Sequence, residues 1–257
     1  MKKYLILLTI SILLAPATQA RSSSAQLKVG YAQDADSLYR IKDYQSAAAG
    51  YESVLTDGFA SADLYYNLGN TYYRMGQFGR AILNYERALR LEPGMSDARQ
   101  NLELANSKTA DRITSLPKIF LVNWYDALVT RLSPSSWRTI VIILVLIVAI
   151  AVFFLVTSRE ISLRKGSLAT LISAGILLIL AVWFLIASTQ HFNSHAEAIV
   201  LEPSVTVKSS PEHQSVDKLI LHEGTKVTIT ESLAGWHKIT LADGTTGWCQ
   251  QENIERI

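Results

Sequence analysis

The chain contains three predominantly apolar runs and two segments in which apolar residues follow a pattern. The runs begin near residues 4, 139 and 167, and none of them contains a charged residue. Between the first two runs the apolar residues recur at helical spacing, and after the third they alternate with polar residues. This pattern predicts an α+β multidomain membrane protein with a helical domain, two transmembrane helices and a small β-barrel.

The first run has the layout of an export signal. Lys2 and Lys3 precede an apolar stretch over residues 4–14, and a proline and mostly small residues follow at 16–20. This order predicts a signal peptide over residues 1–20, because the apolar stretch is shorter than the roughly 20 residues that span a bilayer. An uncleaved N-terminal anchor is the alternative. In both cases the chain that follows is exported.

Residues 29–93 contain an internal repeat, in which the same residue types return at a constant offset. The matched pairs are Tyr31 and Tyr65, Tyr44 and Phe78, Ala47 and Ala81, Tyr51 and Tyr85, and Val54 and Ala88. The offset of about 34 residues and the residue types resemble the tetratricopeptide repeat, a pair of antiparallel helices. The second unit carries that pattern at Tyr65, Leu68, Gly69, Tyr72, Gly76, Phe78, Ala81, Tyr85, Ala88 and Pro93. The first unit is weaker, since Lys42 replaces the usual turn glycine.

A further helix near residues 97–107 follows the two units. No second helix with the repeat pattern follows it, so it is interpreted as a capping helix. The repeats and their cap therefore occupy residues 28–110. Two units fall short of the three that a stable stack usually needs. The sequence thus predicts additional support from the membrane-proximal segment or from a partner.

The resemblance implies that the inner faces of the first helices form a groove for a peptide or a helix. An Arg beside an aromatic ring suits a carboxylate or a polar peptide backbone. The alternative is an ordinary solvated face. Chaperone-binding repeats of this type hold their ligand with a set of Lys and Asn residues. That set is incomplete here, because Asn70 occupies one of its positions but no Lys occurs at the matching inner positions. The candidate groove residues are Asp36, Tyr39, Arg40, Tyr66, Asn70, Tyr73 and Arg74.

Residues 139–156 and 167–188 are uncharged and long enough to cross about 30 Å of hydrocarbon. Because neither contains an ionisable residue, they predict an anchor rather than a transport path. The loop at 157–166 carries three basic residues and one acid, which places it in the cytoplasm. The repeats and the C-terminal domain then face outward, which predicts a two-pass protein of the bacterial inner membrane with both domains in the periplasm.

A juxtamembrane segment over residues 111–138 precedes the first span. Its residues 117–132 predict an interfacial or docking helix. The side chains towards one side of that helix are Ile119, Phe120, Trp124, Leu128 and Leu132. Trp124, Trp137 and Trp183 lie where membrane interfaces are expected.

Residues 196–257 consist of short alternating segments separated by turn residues, which is typical of a small all-β domain. The segments at 207–211, 221–224, 235–239 and 243–248 resemble a bacterial SH3-like domain. That resemblance implies binding of peptides, often those of the cell wall. Trp236 and Trp248 are candidates for the floor of a ligand groove, and the alternative is that they form the core of the domain. Cys249 is expected to be a buried apolar residue.

The sequence contains no catalytic or metal-binding motif. The five histidines form no metal-binding pair, and no phosphate-binding loop is present. A pair of His237 with Cys249 is disfavoured because both lie in the predicted strands. The single cysteine excludes an intrachain disulfide, and a net charge of +2, which Lys2 and Lys3 account for, disfavours nucleic acid. We therefore expect neither an enzyme nor a cofactor.

The order of signal peptide, repeats, membrane hairpin and SH3-like domain resembles the BatE proteins of the aerotolerance (Bat) operon. The resemblance implies a scaffold in an envelope complex linked to stress or oxygen tolerance. Its implied partners are membrane proteins of the von Willebrand A type and, indirectly, a MoxR-type ATPase. The alternative is a cell-envelope module that binds peptidoglycan through the SH3-like domain.

Overall fold

The structure, a computed structural model, describes residues 34–113, 120–194 and 196–257. The predicted signal peptide over residues 1–20 lies outside these residues, as do Tyr31 and Ile119. The helices are α1 (residues 34–40), α2 (Tyr44–Thr56), α3 (Ala62–Arg74), α4 (Phe78–Leu91), α5 (Ser96–Asn106), α6 (Phe120–Thr130), α7 (Pro134–Thr157) and α8 (Ile161–Ser194). The strands are β1 (Ala196–Val200), β2 (Ser204–Lys208), β3 (Asp217–His222), β4 (Lys226–Leu233), β5 (Trp236–Thr240), β6 (Thr246–Gln250) and β7 (Ile254–Arg256). The α+β prediction is confirmed.

Helices α1 to α5 form the repeat domain, and local sequence explains where they begin and turn. Ser61 caps α3 by accepting a hydrogen bond from the amide of Leu64 at 3.1 Å. Gly76 has φ +77° in the turn between α3 and α4. Lys42 has φ +67° at the equivalent position of the first unit, one repeat length earlier. The two units therefore make the same turn, although a side chain with a Cβ is strained in this conformation.

Small and aromatic residues of the repeat pattern fill the core of the repeat domain. A Cβ at Gly69 would lie 2.7 Å from the Tyr85 ring, so glycine is required for the close approach of α3 and α4. Tyr51, Tyr85 and Ala81 are almost completely buried between the helices. The small and aromatic residues of the repeat pattern are thus the ones that pack the helices together.

Helices α7 and α8 pack against each other as an antiparallel hairpin, and both are long and apolar enough to cross a membrane. They extend beyond the predicted spans at 139–156 and 167–188. Within the predicted loop at 157–166, only residues 158–160 are not helical. The amide of Arg164 donates to the carbonyl of Glu160 at 3.1 Å, so the helix continues through charged residues that the hydropathy pattern assigned to the loop.

Residues 196–257 form the β domain, a seven-stranded antiparallel sheet. Its strand order is β3-β2-β6-β5-β4-β1-β7, and the pairing leaves an open sheet with β3 and β7 at its edges, so the predicted closed barrel is wrong. Ala234 and Gly235 both have positive φ between β4 and β5, as a tight hairpin turn requires. The buried cluster is aliphatic and includes Val205, Val207 and Cys249.

The repeat domain and the β domain pack directly against each other. Ile199 of β1 is fully buried in the same cluster as Tyr85 and Leu83. Helix α4 has no side-chain cap of its own at Gln77. The carboxylate of Glu223, in the turn after β3, instead accepts a hydrogen bond from the Gly79 amide at 2.8 Å. A carboxylate at this helix end also interacts favourably with the helix dipole.

Asp111, just after the capping helix, makes a second attachment to the β domain. Its carboxylate accepts hydrogen bonds from the His222 amide and the Thr225 hydroxyl, each at 2.7 Å. It also contacts His222 Nδ1 at 2.7 Å. Partial burial would raise the pKa of Asp111, but these hydrogen bonds lower it below its usual value. The charged form of Asp111 is therefore stabilised by the folded β domain.

Ion pairs complete the interface. Lys226 Nζ lies 3.1 Å from Glu86 of the repeat domain and 2.9 Å from Glu197 of β1. Arg87 lies 2.8 Å from Glu255. Desolvation lowers the pKa of Lys226, but the two carboxylates outweigh it and raise the value. The repeat domain and the β domain therefore pack together as one body.

Substitution of Gly224 tests the steric fit of this interface. Gly224 and Gly235 have nearly equal φ values of +89° and +84°, so alanine carries a similar backbone penalty at both. A Cβ at Gly224 would also clash with Thr109 and lie 2.9 Å from Ile82, whereas nothing lies within 4 Å at Gly235. We expect Gly224→Ala to lower the free energy of unfolding by about 1–3 kcal/mol more than Gly235→Ala, measured in urea on the detergent-solubilised chain. Equal losses would contradict the packed interface.

Candidate protein-binding groove

The inner surface of the repeat domain contains an open pocket of about 310 Å³. Its walls come from α1, α3 and α5, and Tyr85 of α4 contributes to its floor. Five of the seven candidate groove residues come together there. The lining residues are Tyr39, Tyr66, Asn70, Tyr73, Arg74, Tyr85, Asn101 and Leu104.

A hydrogen-bonded network holds the floor of the pocket. Asn70 Oδ1 accepts from the Tyr85 hydroxyl and from Asn101 Nδ2, both at 2.8 Å. Asn101 Nδ2 also lies 3.3 Å from the Tyr66 hydroxyl. Burial raises the pKa of Tyr85, so its hydroxyl remains protonated as the donor. The amide oxygen of Asn70 is thus used within the protein.

The same network occurs once more, one repeat length earlier. Asp36 accepts hydrogen bonds from the Tyr51 hydroxyl and from Asn67 Nδ2, the latter at 3.4 Å. These three residues are the counterparts of Asn70, Tyr85 and Asn101. In each case an inner-helix residue joins the tyrosine of its own unit to an asparagine of the next inner helix. Helix α5 therefore occupies the position that the first helix of a third repeat would take.

Two predicted groove residues do not line the pocket. Asp36 is turned towards Tyr51 and Asn67, as described above. Arg40 is exposed to solvent and is not among the residues that line the pocket. Sequence reasoning also missed Tyr85, Asn101 and Leu104. The spacing of one repeat length between Asn67 and Asn101 was a usable signal for Asn101.

Aromatic pairs fix the walls of the pocket. Tyr39 meets Tyr44 edge to face at 5.3 Å, and Tyr73 meets Phe78 in the same way at 5.5 Å. Arg74 is exposed and is hydrogen-bonded to Tyr39, which raises the pKa of its guanidinium. The pocket therefore presents packed aromatic rings and a guanidinium that is hydrogen-bonded to one of them.

The two candidate tryptophans of the β domain lie apart from this groove. The strand register places Trp236 and Trp248 on one sheet face with Lys238, opposite the face of Ile239 and Cys249. Neither tryptophan belongs to the aliphatic core cluster. Trp236 packs against His213 at 5.3 Å beside a cleft of about 600 Å³, and Lys238 lies 6.0 Å from the Trp248 ring centroid.

His237 and Cys249 are directly opposite each other on β5 and β6. Burial raises the pKa of the Cys249 thiol to about 11, which disfavours the reactive thiolate. Burial also lowers the pKa of His237, and its Nδ1 lies 2.8 Å from the Ser232 hydroxyl. Both pKa shifts disfavour the thiolate–imidazolium pair that a catalytic cysteine uses.

Comparison with known families gives one match within the groove region. Residues 62–95 match the family described as tetratricopeptide repeat. This match covers α3 and α4 and confirms the prediction for the second unit. A search of curated proteins gives no match.

Removal of tyrosine hydroxyls tests the repeated network. We expect Tyr85→Phe to lower the free energy of unfolding by about 1 kcal/mol. Tyr51→Phe is expected to cost about 2 kcal/mol, because its acceptor Asp36 is a carboxylate. Tyr65→Phe is the control and is expected to stay within about 0.5 kcal/mol of the native chain in the same urea titration. Equal values for all three variants would refute the network.

Proposed function

We propose that this protein is a membrane-anchored adaptor that binds a polypeptide segment of a partner in the groove of its repeat domain. The observation that carries the proposal is the convergence of Tyr39, Tyr73 and Arg74 in one open pocket. The match to the tetratricopeptide repeat supports a role in protein–protein interaction. Because the oxygen of Asn70 is engaged within the protein, the rings and Arg74 supply the main recognition.

The chemistry of the groove favours a segment with a carbonyl-rich or acidic stretch. A guanidinium donates several hydrogen bonds in a fixed plane, which suits peptide carbonyls and carboxylates. The tyrosine rings supply large contact areas and lose little conformational entropy on binding. Neighbouring Leu104 is 52% exposed and adds an apolar contact.

We propose that α7 and α8 anchor the protein in the bacterial inner membrane, with the repeat and β domains in the periplasm. Contact between the two domains supports a common side for both, since they flank the hairpin in the chain. The basic residues Arg159, Arg164 and Lys165 lie at the far turn of the hairpin, which favours a cytoplasmic location for that turn.

The proposed physiological setting is a Bat-type envelope complex linked to stress or oxygen tolerance. The order of repeats, membrane hairpin and β domain supports it by resemblance to BatE proteins. Under this proposal the groove binds a membrane protein of the von Willebrand A type, and a MoxR-type ATPase acts indirectly from the cytoplasm. The protein itself has no catalytic role, which the environment of His237 and Cys249 supports.

Photo-crosslinking in intact membranes tests the groove. A photoreactive residue replaces Leu104 in the full chain, and captured polypeptides are identified. We expect Arg74→Ala to reduce capture about tenfold, since buried Arg contacts often carry more than 1 kcal/mol of binding. Arg40→Ala is the matched control, because Arg40 is the counterpart of Arg74 in the first unit and lies outside the pocket. Equal capture by both variants would refute the groove as the binding site.

Peptidoglycan binding by the β domain, proposed as SH3-like, is the second candidate function. The cleft beside Trp236 and His213, whose rings meet edge to face, favours it, since aromatic rings can hold sugar or peptide groups. We expect the full chain in detergent to sediment with purified cell wall and His213→Ala to reduce the bound fraction several-fold. Val216→Ala, at an exposed position outside the cleft, should have no effect. Absence of sedimentation of the native chain would eliminate this candidate.

A further inference from the structure

Helix α6 carries an exposed aromatic face. The side chain of Phe120 is 77% exposed and that of Trp124 is 58% exposed. Because these residues are four apart, they lie on the same side of the helix, and exposed Ala127 continues that side. Large aromatic side chains left open on one helix face indicate a surface that something else covers.

The other side of α6 packs against the membrane hairpin. Tyr125 lies 5.8 Å from Trp183 of α8 between ring centroids. Val129, one turn further along, is only 1% exposed. These contacts hold α6 alongside the hairpin and orient its aromatic face away from it.

The level of α6 along the hairpin follows from an aromatic cluster. Trp137 stacks on Phe184 at 5.0 Å, and Trp183 adjoins Phe184 at 5.1 Å. From Trp137 to Thr157, helix α7 rises about 30 Å, which equals the hydrocarbon thickness of a bilayer. The cluster therefore marks one boundary of the apolar slab, where tryptophans are enriched. Tyr125 joins this cluster, so α6 lies at the same boundary.

We infer that α6 lies in the lipid–water interface and inserts Phe120 and Trp124 between the lipids of the periplasmic leaflet. The inference rests on the proposed anchoring by α7 and α8. The occupant of the aromatic face is lipid, because the face adjoins the membrane boundary set by the hairpin. Exposed Arg131 and Arg138 follow α6 and can reach lipid phosphates at the same level.

An interfacial α6 would give the soluble body a third attachment to the membrane. Helices α7 and α8 alone form a narrow hairpin about which the body could tilt. A helix lying in the interface plane resists such tilting, because its apolar face would have to leave the lipid. The orientation of the groove towards a membrane-bound partner would then be restricted.

Spin labelling of the full chain tests this inference. The native Cys249 is replaced by Ala, and single labels are placed through Trp124→Cys, Ile143→Cys and Glu103→Cys. Ile143 is 51% exposed within α7 and serves as the lipid reference, whereas Glu103 is exposed on α5 and serves as the water reference. The protein is reconstituted in vesicles of phosphatidylethanolamine and phosphatidylglycerol. Collision rates of each label with oxygen and with a water-soluble nickel chelate are measured.

The expected oxygen-to-nickel ratio at position 124 is within about twofold of that at position 143 and several times that at position 103. A ratio equal to that at position 103 would overturn the inference and leave the anchor intact. An immobilised label that neither agent reaches would also overturn it, because protein would then cover the face. A water-like ratio at position 143 would overturn the anchor as well, which distinguishes the two failures.

Discussion

The packing of the repeat domain against the β domain is the constraint on which the rest of the architecture depends. Glu223 caps helix α4 across 144 residues of chain, and Asp111 accepts a hydrogen bond from His222 at the end of β3. The chain between the capping helix and β1 must therefore leave this body and return to it. An antiparallel pair of long apolar helices satisfies this condition.

The same interface explains how so few repeats form a stable domain. A stack of helical pairs leaves an apolar face open at each end and depends on neighbouring repeats to cover it. Here the strand residue Ile199 and the partly buried Leu201 and Ile257 pack against the cluster of the repeat domain. Helix α5 covers the other side through Asn101. The β domain thus provides the support that the sequence assigned to the membrane-proximal segment or to a partner.

Local features of this fold could be predicted from the sequence, and long-range ones could not. The period of the repeat predicts the helices, their turns and the equivalence of Lys42 with Gly76, because these depend on neighbouring residues. The strand order and the contact of Glu223 with Gly79 depend on residues far apart, for which no periodic signal exists. For the groove, the helical spacing indicated which residues lie on the inner face. It could not show that Asp36 accepts a hydrogen bond from Tyr51 within the protein.

The shared role of Asp36 and Asn70 limits which side chains of the groove are available to a ligand. At both positions the side-chain oxygen is needed to join a tyrosine to an asparagine of the next inner helix. The Asn70 oxygen and the Asp36 oxygen in these bonds are therefore engaged within the protein, whereas Arg74 lines the pocket and is exposed to solvent. An exposed guanidinium binds best to a group that accepts hydrogen bonds in a plane. Under the proposed function, Arg74 therefore favours peptide carbonyls and carboxylates over cationic segments.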